Sequence, residues 1–261
     1  MHRVVIPVDF SENSFNAARY TAQMLAGKTD AVAILYHQYE NKEDGGMCSN
    51  YLESLQKEML DKGVAQVEFE IAMGGDLVEN IVRLAHTRRA TLVTMGITGK
   101  SGIKQILMGS NTLKLVNENL YPVLIIPPDA VYNEIKNVAF ATDFKDVEVT
   151  TPSVLINSVL EMFNPMLNFV NVNNEHYVSI TEEYQQGKEK LQEMFRDYKT
   201  EFYFIGMNDF YEAIDNFIKD YNIDILITIP KHDSNDRSLF KSSHTQKLAY
   251  HSHIPILAAH E

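Results

Sequence analysis

The residues best suited to chemistry lie in one segment, Met95-Gly96-Ile97-Thr98-Gly99-Lys100-Ser101-Gly102-Ile103-Lys104-Gln105-Ile106-Leu107-Met108-Gly109-Ser110. Gly96 and Gly99 lack side chains, so backbone N–H groups there can approach an anion closely and take φ > 0. Gly109-Ser110 stands where a helix is expected to open, and the first amides of a helix are unpaired at its positive dipole end. Thr98 and Ser110 add hydroxyl donors, and Lys100 and Lys104 add local positive charge. Together these residue types describe a cradle for a phosphate. A Walker A loop does not fit, because glycine is required five residues before Gly99, where this chain has Thr94.

Such a loop must be presented by regular elements, ideally at the carboxyl end of a parallel strand. Residues 4–8 form a continuous apolar run, as a strand buried on both faces requires. Ser11 is a suitable N-cap for a helix that turns Phe15, Ala18, Ala22 and Leu25 to the core and stops at Gly27. Strands follow at residues 31–36, 67–72, 92–95 and 123–126. Between them come a polar connection over residues 41–50 and helices over 51–62, 77–86 (capped by Asp76) and from about Ser110. Strands alternating with helices predict a parallel α/β sheet covered on both faces.

The plan occurs twice. Val4-Val5-Ile6-Pro7-Val8-Asp9-Phe10 matches Val138-Ala139-Phe140-Ala141-Thr142-Asp143-Phe144, 134 positions on. Tyr121-Pro122-Val123-Leu124-Ile125 matches Ile254-Pro255-Ile256-Leu257-Ala258 at an offset of 133. In the second copy Asp209 precedes a helix bearing Ile214, Phe217 and Ile218, and a strand spans residues 223–229. Two tandem five-stranded α/β domains are expected, residues 1–128 and 129–261, divided at Pro127-Pro128 where a strand must stop.

With 23 Lys+Arg against 35 Asp+Glu, the net charge of −12 disfavours nucleic acid and anionic membranes as partners. A single cysteine, Cys48, in the polar connection, excludes an internal disulfide framework. No uncharged apolar stretch reaches membrane-spanning length, the N-terminus lacks a signal-peptide core, and the expected address is cytoplasmic.

Gly96-x2-Gly99-x9-Gly109-Ser110, with Asp9 after the Ile-Pro-Val strand and Leu35-Tyr36-His37 ending the second strand, resembles the ATP-binding branch of the universal stress protein family in tandem form. The resemblance implies Rossmann-like, adenine nucleotide alpha hydrolase-like domains. It places Asp9, with Pro7 and Val8 beside it, under the adenosine, and sets the backbone of Gln38 against adenine. Met95, Gly96, Thr98 and Gly99 would line the ribose and α-phosphate. Gly109 and Ser110 would hold the outer phosphates, with Asn111 next on the helix. The implied cofactor is ATP, with AMP or ADP as variants and Mg²⁺ in company. The implied assembly is an intramolecular pseudo-dimer through the two last strands, with a homodimer of the chain as a further option.

The second copy departs from this pattern. Ile229-Pro230 replaces Gly96-Ile97, His232 or Asp233 replaces Gly99, and Ser242-Ser243 replaces Gly109-Ser110, so ATP is not expected there. Five of the nine histidines (His232, His244, His251, His253 and His260) crowd the C-terminus without completing a metal set, and read as surface. Residues 182–193 read as an exposed charged helix with i,i+4 pairs. Phe195, Tyr198, Phe202, Tyr203 and Phe204 read as core. The expected function is a regulatory nucleotide-binding module with at most slow hydrolysis. Its rivals are a ligand-free scaffold and an ATP-using enzyme of the pyrophosphatase or nucleotidyl transferase type.

Overall fold

The computed structural model describes residues 1–97, 110–173, 182–230, 248 and 252–260, and the chain forms two compact units, Met1–Tyr132 and Asn133–Glu261. In the first, strands β1 (His2–Pro7), β2 (Ala31–Tyr39), β3 (Gln66–Met73), β4 (Leu92–Gly96) and β5 (Val123–Ile126) alternate with helices α1 (Glu12–Leu25), α2 (Gly45–Asp61), α3 (Leu77–Arg88) and α4 (Ser110–Asn117). The strand order is β3-β2-β1-β4-β5, and every pair within it is parallel. The order reverses between β1 and β4, which opens a crevice at the carboxyl ends of those strands. The architecture is α/β and Rossmann-like.

The core follows from the sequence. Val4, Val5 and Ile6 are fully buried, as their continuous apolar run demands. Helix α1 packs through Ala17, Ala18, Ala22 and Leu25, all fully buried, and these small residues let it lie close to the sheet. Phe15 is not on that face. It is half-buried at the rim, its ring 6.2 Å from Phe10, with Arg19 5.7 Å above it. The polar connection expected over residues 41–50 is instead a short 3₁₀ turn, Lys42–Asp44, followed at once by α2. Its buried stripe is Cys48, Leu52, Leu55 and Met59, a helical spacing that Gly45-Gly46 and the polar residues between disguise. Cys48 is therefore a core residue, and burial together with Asp44 pushes its thiol up from its ordinary range.

The second unit repeats the plan with β6 (Asn137–Ala141), β7 (Met166–Val172), β8 (Thr200–Ile205), β9 (Ile225–Thr228) and β10 (Ile256–Ala258). Within the unit the order is β8-β7-β6-β9-β10, again parallel. The place of α1 is taken by two shorter helices, α5 (Val147–Thr150) and α6 (Ser153–Leu160), followed by α7 (Glu182–Met194) and α8 (Phe210–Asp220). Of the aromatic run, Phe195 is buried, whereas Phe204 is 48% exposed on β8, the outermost strand of the order. On α7, Lys190 pairs with Glu148 of α5 and with Glu193 at i,i+3, and Lys188 lies over the Phe202 ring. His260 is buried, not at the surface.

Equivalent helix starts are built alike. Asp76 Oδ1 accepts from the amides of Val78 and Glu79, and Asp209 Oδ1 accepts from those of Tyr211 and Glu212. Each cap satisfies two amides that would otherwise be orphaned. Replacing Asp76 or Asp209 by Ala should lower the stability of its own unit by about 1 kcal/mol. Denaturant midpoints measured at constant slope check this, and no shift in either would show the caps to be redundant.

Candidate functional site

The crevice between β1 and β4 is a cleft of about 400 Å³. Pro7, Val8 and Asp9 reach it from the end of β1, and Tyr36, His37, Gln38 and Glu40 from the end of β2. Met95 and Gly96 end β4 in its wall, Asn111 and Thr112 come from the first turn of α4, and Ser11, Asn13, Ser14 and Leu77 complete it. Seven residues singled out in the sequence therefore converge: Pro7, Val8, Asp9, Gln38, Met95, Gly96 and Asn111. Thr98, Gly99 and Gly109, like Lys100 and Lys104, lie outside the described residues. Ser110 opens α4, but its side chain also lies outside them. So do Ser242, Ser243, Asp233, His232, His244 and His251 of the second unit.

The turn after β1 is built by hydrogen bonds. The amide and hydroxyl of Ser11 both donate to Asp9 Oδ1, at 3.0 and 2.6 Å. Ser11 Oγ in turn accepts from the Ser14 amide at 3.3 Å, capping α1. Desolvation by the cleft walls pushes the Asp9 carboxyl up, but the Ser11 and Ser14 hydroxyls and the Ser11 amide outweigh it and hold it below its usual range. Phe10, between them, has φ of 62°, a left-handed conformation that costs a bulky residue about 1–3 kcal/mol. Tilted contact of its ring with His37, 4.2 Å between centroids, and with Tyr51 offsets that cost.

His37 is buried, and its Nδ1 lies 2.7 Å from the Val8 carbonyl. A carbonyl only accepts, so Nδ1 carries a proton and donates it to Val8. Behind Tyr36 and Gln38, Asn80 and Arg83 of α3 close the wall: Asn80 Nδ2 donates to Gln38 Oε1 at 2.9 Å, and Arg83 Nη2 donates to Asn80 Oδ1 at 2.6 Å. Burial pushes the Tyr36 hydroxyl up, against the neighbouring charge of Arg83, so it stays a neutral donor.

Gly96 has a structural reason to be glycine. A Cβ there would run into the Asn13 carbonyl oxygen and lie 2.8 Å from its carbon. The end of β4 and the first turn of α1 thus meet backbone to backbone. Thr112 Oγ1 donates to the Gly96 carbonyl at 3.4 Å and ties α4 to the same point. Ser11, Asn13, His37, Glu40 and Thr112 are site residues that motif spacing missed, although the capping role of Ser11 and the Leu35-Tyr36-His37 strand end were signals for two of them. Among the described residues, no group of three or more His, Cys, Asp or Glu is arranged to hold a metal.

Residues 1–127 match the Universal stress protein family. Universal stress protein MJ0577 of Methanocaldococcus jannaschii is 24% identical over 153 residues, covering 48% of this chain and 93% of the relative. Universal stress protein MJ0531 of the same organism is 26% identical over 138 residues, covering 48% and 81%. Among solved structures, a universal stress protein from Archaeoglobus fulgidus shares the fold with a TM-score of 0.72 at 16% identity, covering 99% of this chain and 98% of that one. A putative universal stress protein from Pseudomonas aeruginosa does so with a TM-score of 0.66 at 13% identity, covering 99% and 93%.

Two outcomes test the local physics. Gly96→Ala should destabilise the first unit by about 1–3 kcal/mol through the clash with Asn13, whether or not a ligand is added; an unchanged midpoint would refute the close approach. Asp9→Asn mimics the protonated acid. Because the native carboxyl is held low, its extra stability is present above about pH 4 and is lost as pH falls through the native value. The stability gap between wild type and Asp9→Asn should therefore close on acidification, as read by denaturant melts between pH 7 and 3.

Proposed function

The N-terminal half of this chain belongs to the universal stress protein family, and from that premise we propose that its first unit binds an adenine nucleotide, ATP before AMP or ADP, in the cleft between β1 and β4. One observation carries the reading. Seven residues from four separate stretches of sequence, chosen for a nucleotide, line one cleft at the point where strand order reverses. A volume of about 400 Å³ lies within the roughly 300–1,000 Å³ of small-molecule pockets.

In this reading Asp9, held ionised, accepts from the ribose hydroxyls, and Gln38 lies against the base. Met95 and Gly96 flank the sugar. The first turn of α4, with Asn111 and Ser110 there and Thr98, Gly99 and Gly109 before it, takes the phosphates at a positive helix end. ATP supplies a compact polyanion whose presence or absence can be read as a signal, and Mg²⁺ accompanies the triphosphate. The role is regulatory and cytoplasmic, with at most slow hydrolysis. Among the described residues no helix is long and apolar enough to cross a membrane. The second unit is proposed to lack ATP: Pro230, following Ile229, has no N–H to offer.

Denaturing the purified chain and identifying any released nucleotide, then titrating ATP, ADP and AMP, tests the proposal. Gly109→Asp should lower ATP affinity by at least about tenfold, a loss of about 1.4 kcal/mol, while the melting midpoint hardly moves. Retained affinity in that variant would show the phosphates to lie elsewhere. A chain with neither bound nucleotide nor ATP affinity would favour a scaffold, and rapid turnover with a co-substrate would favour an enzyme.

A further inference from the structure

The second unit breaks the helix that follows the first strand. In the first unit α1 runs unbroken over Glu12–Leu25. Its counterpart stops early: α5 ends at Thr150, Thr151 is extended at φ −107° and ψ 108°, and Pro152 follows. Proline has no N–H to continue a helix and biases the residue before it toward extended backbone. Two aliphatic side chains flank the break at the surface, Val149 at 73% and Val154 at 81% exposure.

Between α5 and α7 lies a groove of about 310 Å³, lined wholly by residues of the second unit. Buried Phe144 and Val147 line it together with exposed Val149, which gives it an apolar base. Its charge is almost all of one sign: Asp146 and Glu148 from the start of α5 and Glu183 and Glu189 from α7 set four carboxylates against one ammonium, that of Lys190. Lys190 is already held 2.7 Å from Glu148 and 3.9 Å from Glu193. Asp146 makes no side-chain capping bond to α5, and neither it nor Glu183 is paired with a cation among the described residues.

We infer that the apolar groove between α5 and α7 docks a short basic segment of a partner protein, in which lysine or arginine residues flank an aliphatic one. The aliphatic side chain packs on Val147 and Val149. The cationic side chains lay their apolar stems along the groove and carry their charged heads to Asp146, Glu183 and Glu189. Single surface charge pairs contribute little, so several act together, and they set the approach and its salt dependence while apolar burial sets the register. A second copy of this chain is a poor occupant, because its net charge of −12 meets an acidic rim. The surface belongs to the second unit and is independent of nucleotide binding by the first.

A fluorescently labelled peptide, Lys-Lys-Val-Lys-Lys, titrated into the full chain at low salt and followed by anisotropy, tests the assignment. Replacing its Val by Ser should weaken binding about fivefold through lost apolar burial, and Val149→Ser should do the same from the protein side. Asp146→Asn combined with Glu183→Gln should weaken it by at least about fivefold and flatten its salt dependence. Asn tolerates the left-handed backbone of position 146, where φ is 46°. Glu43→Gln with Glu53→Gln, two exposed carboxylates of the first unit, should change nothing. Every side chain altered is exposed, so melting midpoints should hold. No binding, equal affinity for the Val and Ser peptides, or affinity unmoved by the groove variants overturns the inference. Displacement by spermidine as effective as by unlabelled peptide would reduce the groove to a cation site and overturn it as well. So would a dimer in sedimentation that Val149→Ser dissolves, which would make the occupant a second copy.

Discussion

The approach of Gly96 to the Asn13 carbonyl sets the shape of the first unit's crevice. With no room for a methyl group between them, the end of β4 and the first turn of α1 are held at backbone contact. That contact fixes where α1 begins, and the chain must leave β1 and enter the helix within a few residues. Asp9 and Ser11 supply the hydrogen bonds of the turn, and Phe10 takes the left-handed conformation that the turn imposes. His37 then does two things: its ring supports Phe10, and its Nδ1–H meets the Val8 carbonyl left behind by the strand. The cleft is what remains between elements placed in this way.

The second unit keeps the same turn with different side chains. Phe144 has φ of 61°, matching Phe10 at 62°, and Asp143 Oδ1 accepts from the Lys145 amide as Asp9 does from Ser11. Asn171 Nδ2 donates to the Thr142 carbonyl at 2.9 Å, where His37 serves Val8. Beyond the turn the copies part. Phe144 packs against Tyr184, Phe202 and Phe204, and α7 comes so close to it that Gly187 has no space for a Cβ beside the Phe144 carbonyl. The strained backbone is thus an architectural feature common to both units. What distinguishes a binding cleft is the set of side chains around it.

Local order was legible in the sequence where one physical rule dominated. Continuous apolar runs marked β1 and β5, and acids ahead of apolar helices marked the caps at Asp76 and Asp209. Rules in competition hid the rest. Gly45-Gly46 argued for a loop, while burial of Cys48 and Leu52 drives a helix through it. The contact of Gly96 with Asn13, eighty-three positions earlier, leaves no mark in local spacing. Nor does the hydrogen bond from Asn80 to the Gln38 side chain, which spans 42 residues.

Charge decides how a nucleotide would have to lie. The described residues lining the cleft include Asp9 and Glu40 and no Lys or Arg, so that wall repels a polyanion, more so in a chain of net charge −12. Hydrogen-bond acceptors suit hydroxyls and an exocyclic amine, and both carboxylates follow β1 or β2. The opposite side begins with the first turn of α4, preceded in sequence by Lys100 and Lys104. On the proposed reading, base and ribose therefore lie against the ends of β1 and β2 and the phosphates point to α4. The reverse orientation would set a triphosphate against the carboxylates of Asp9 and Glu40.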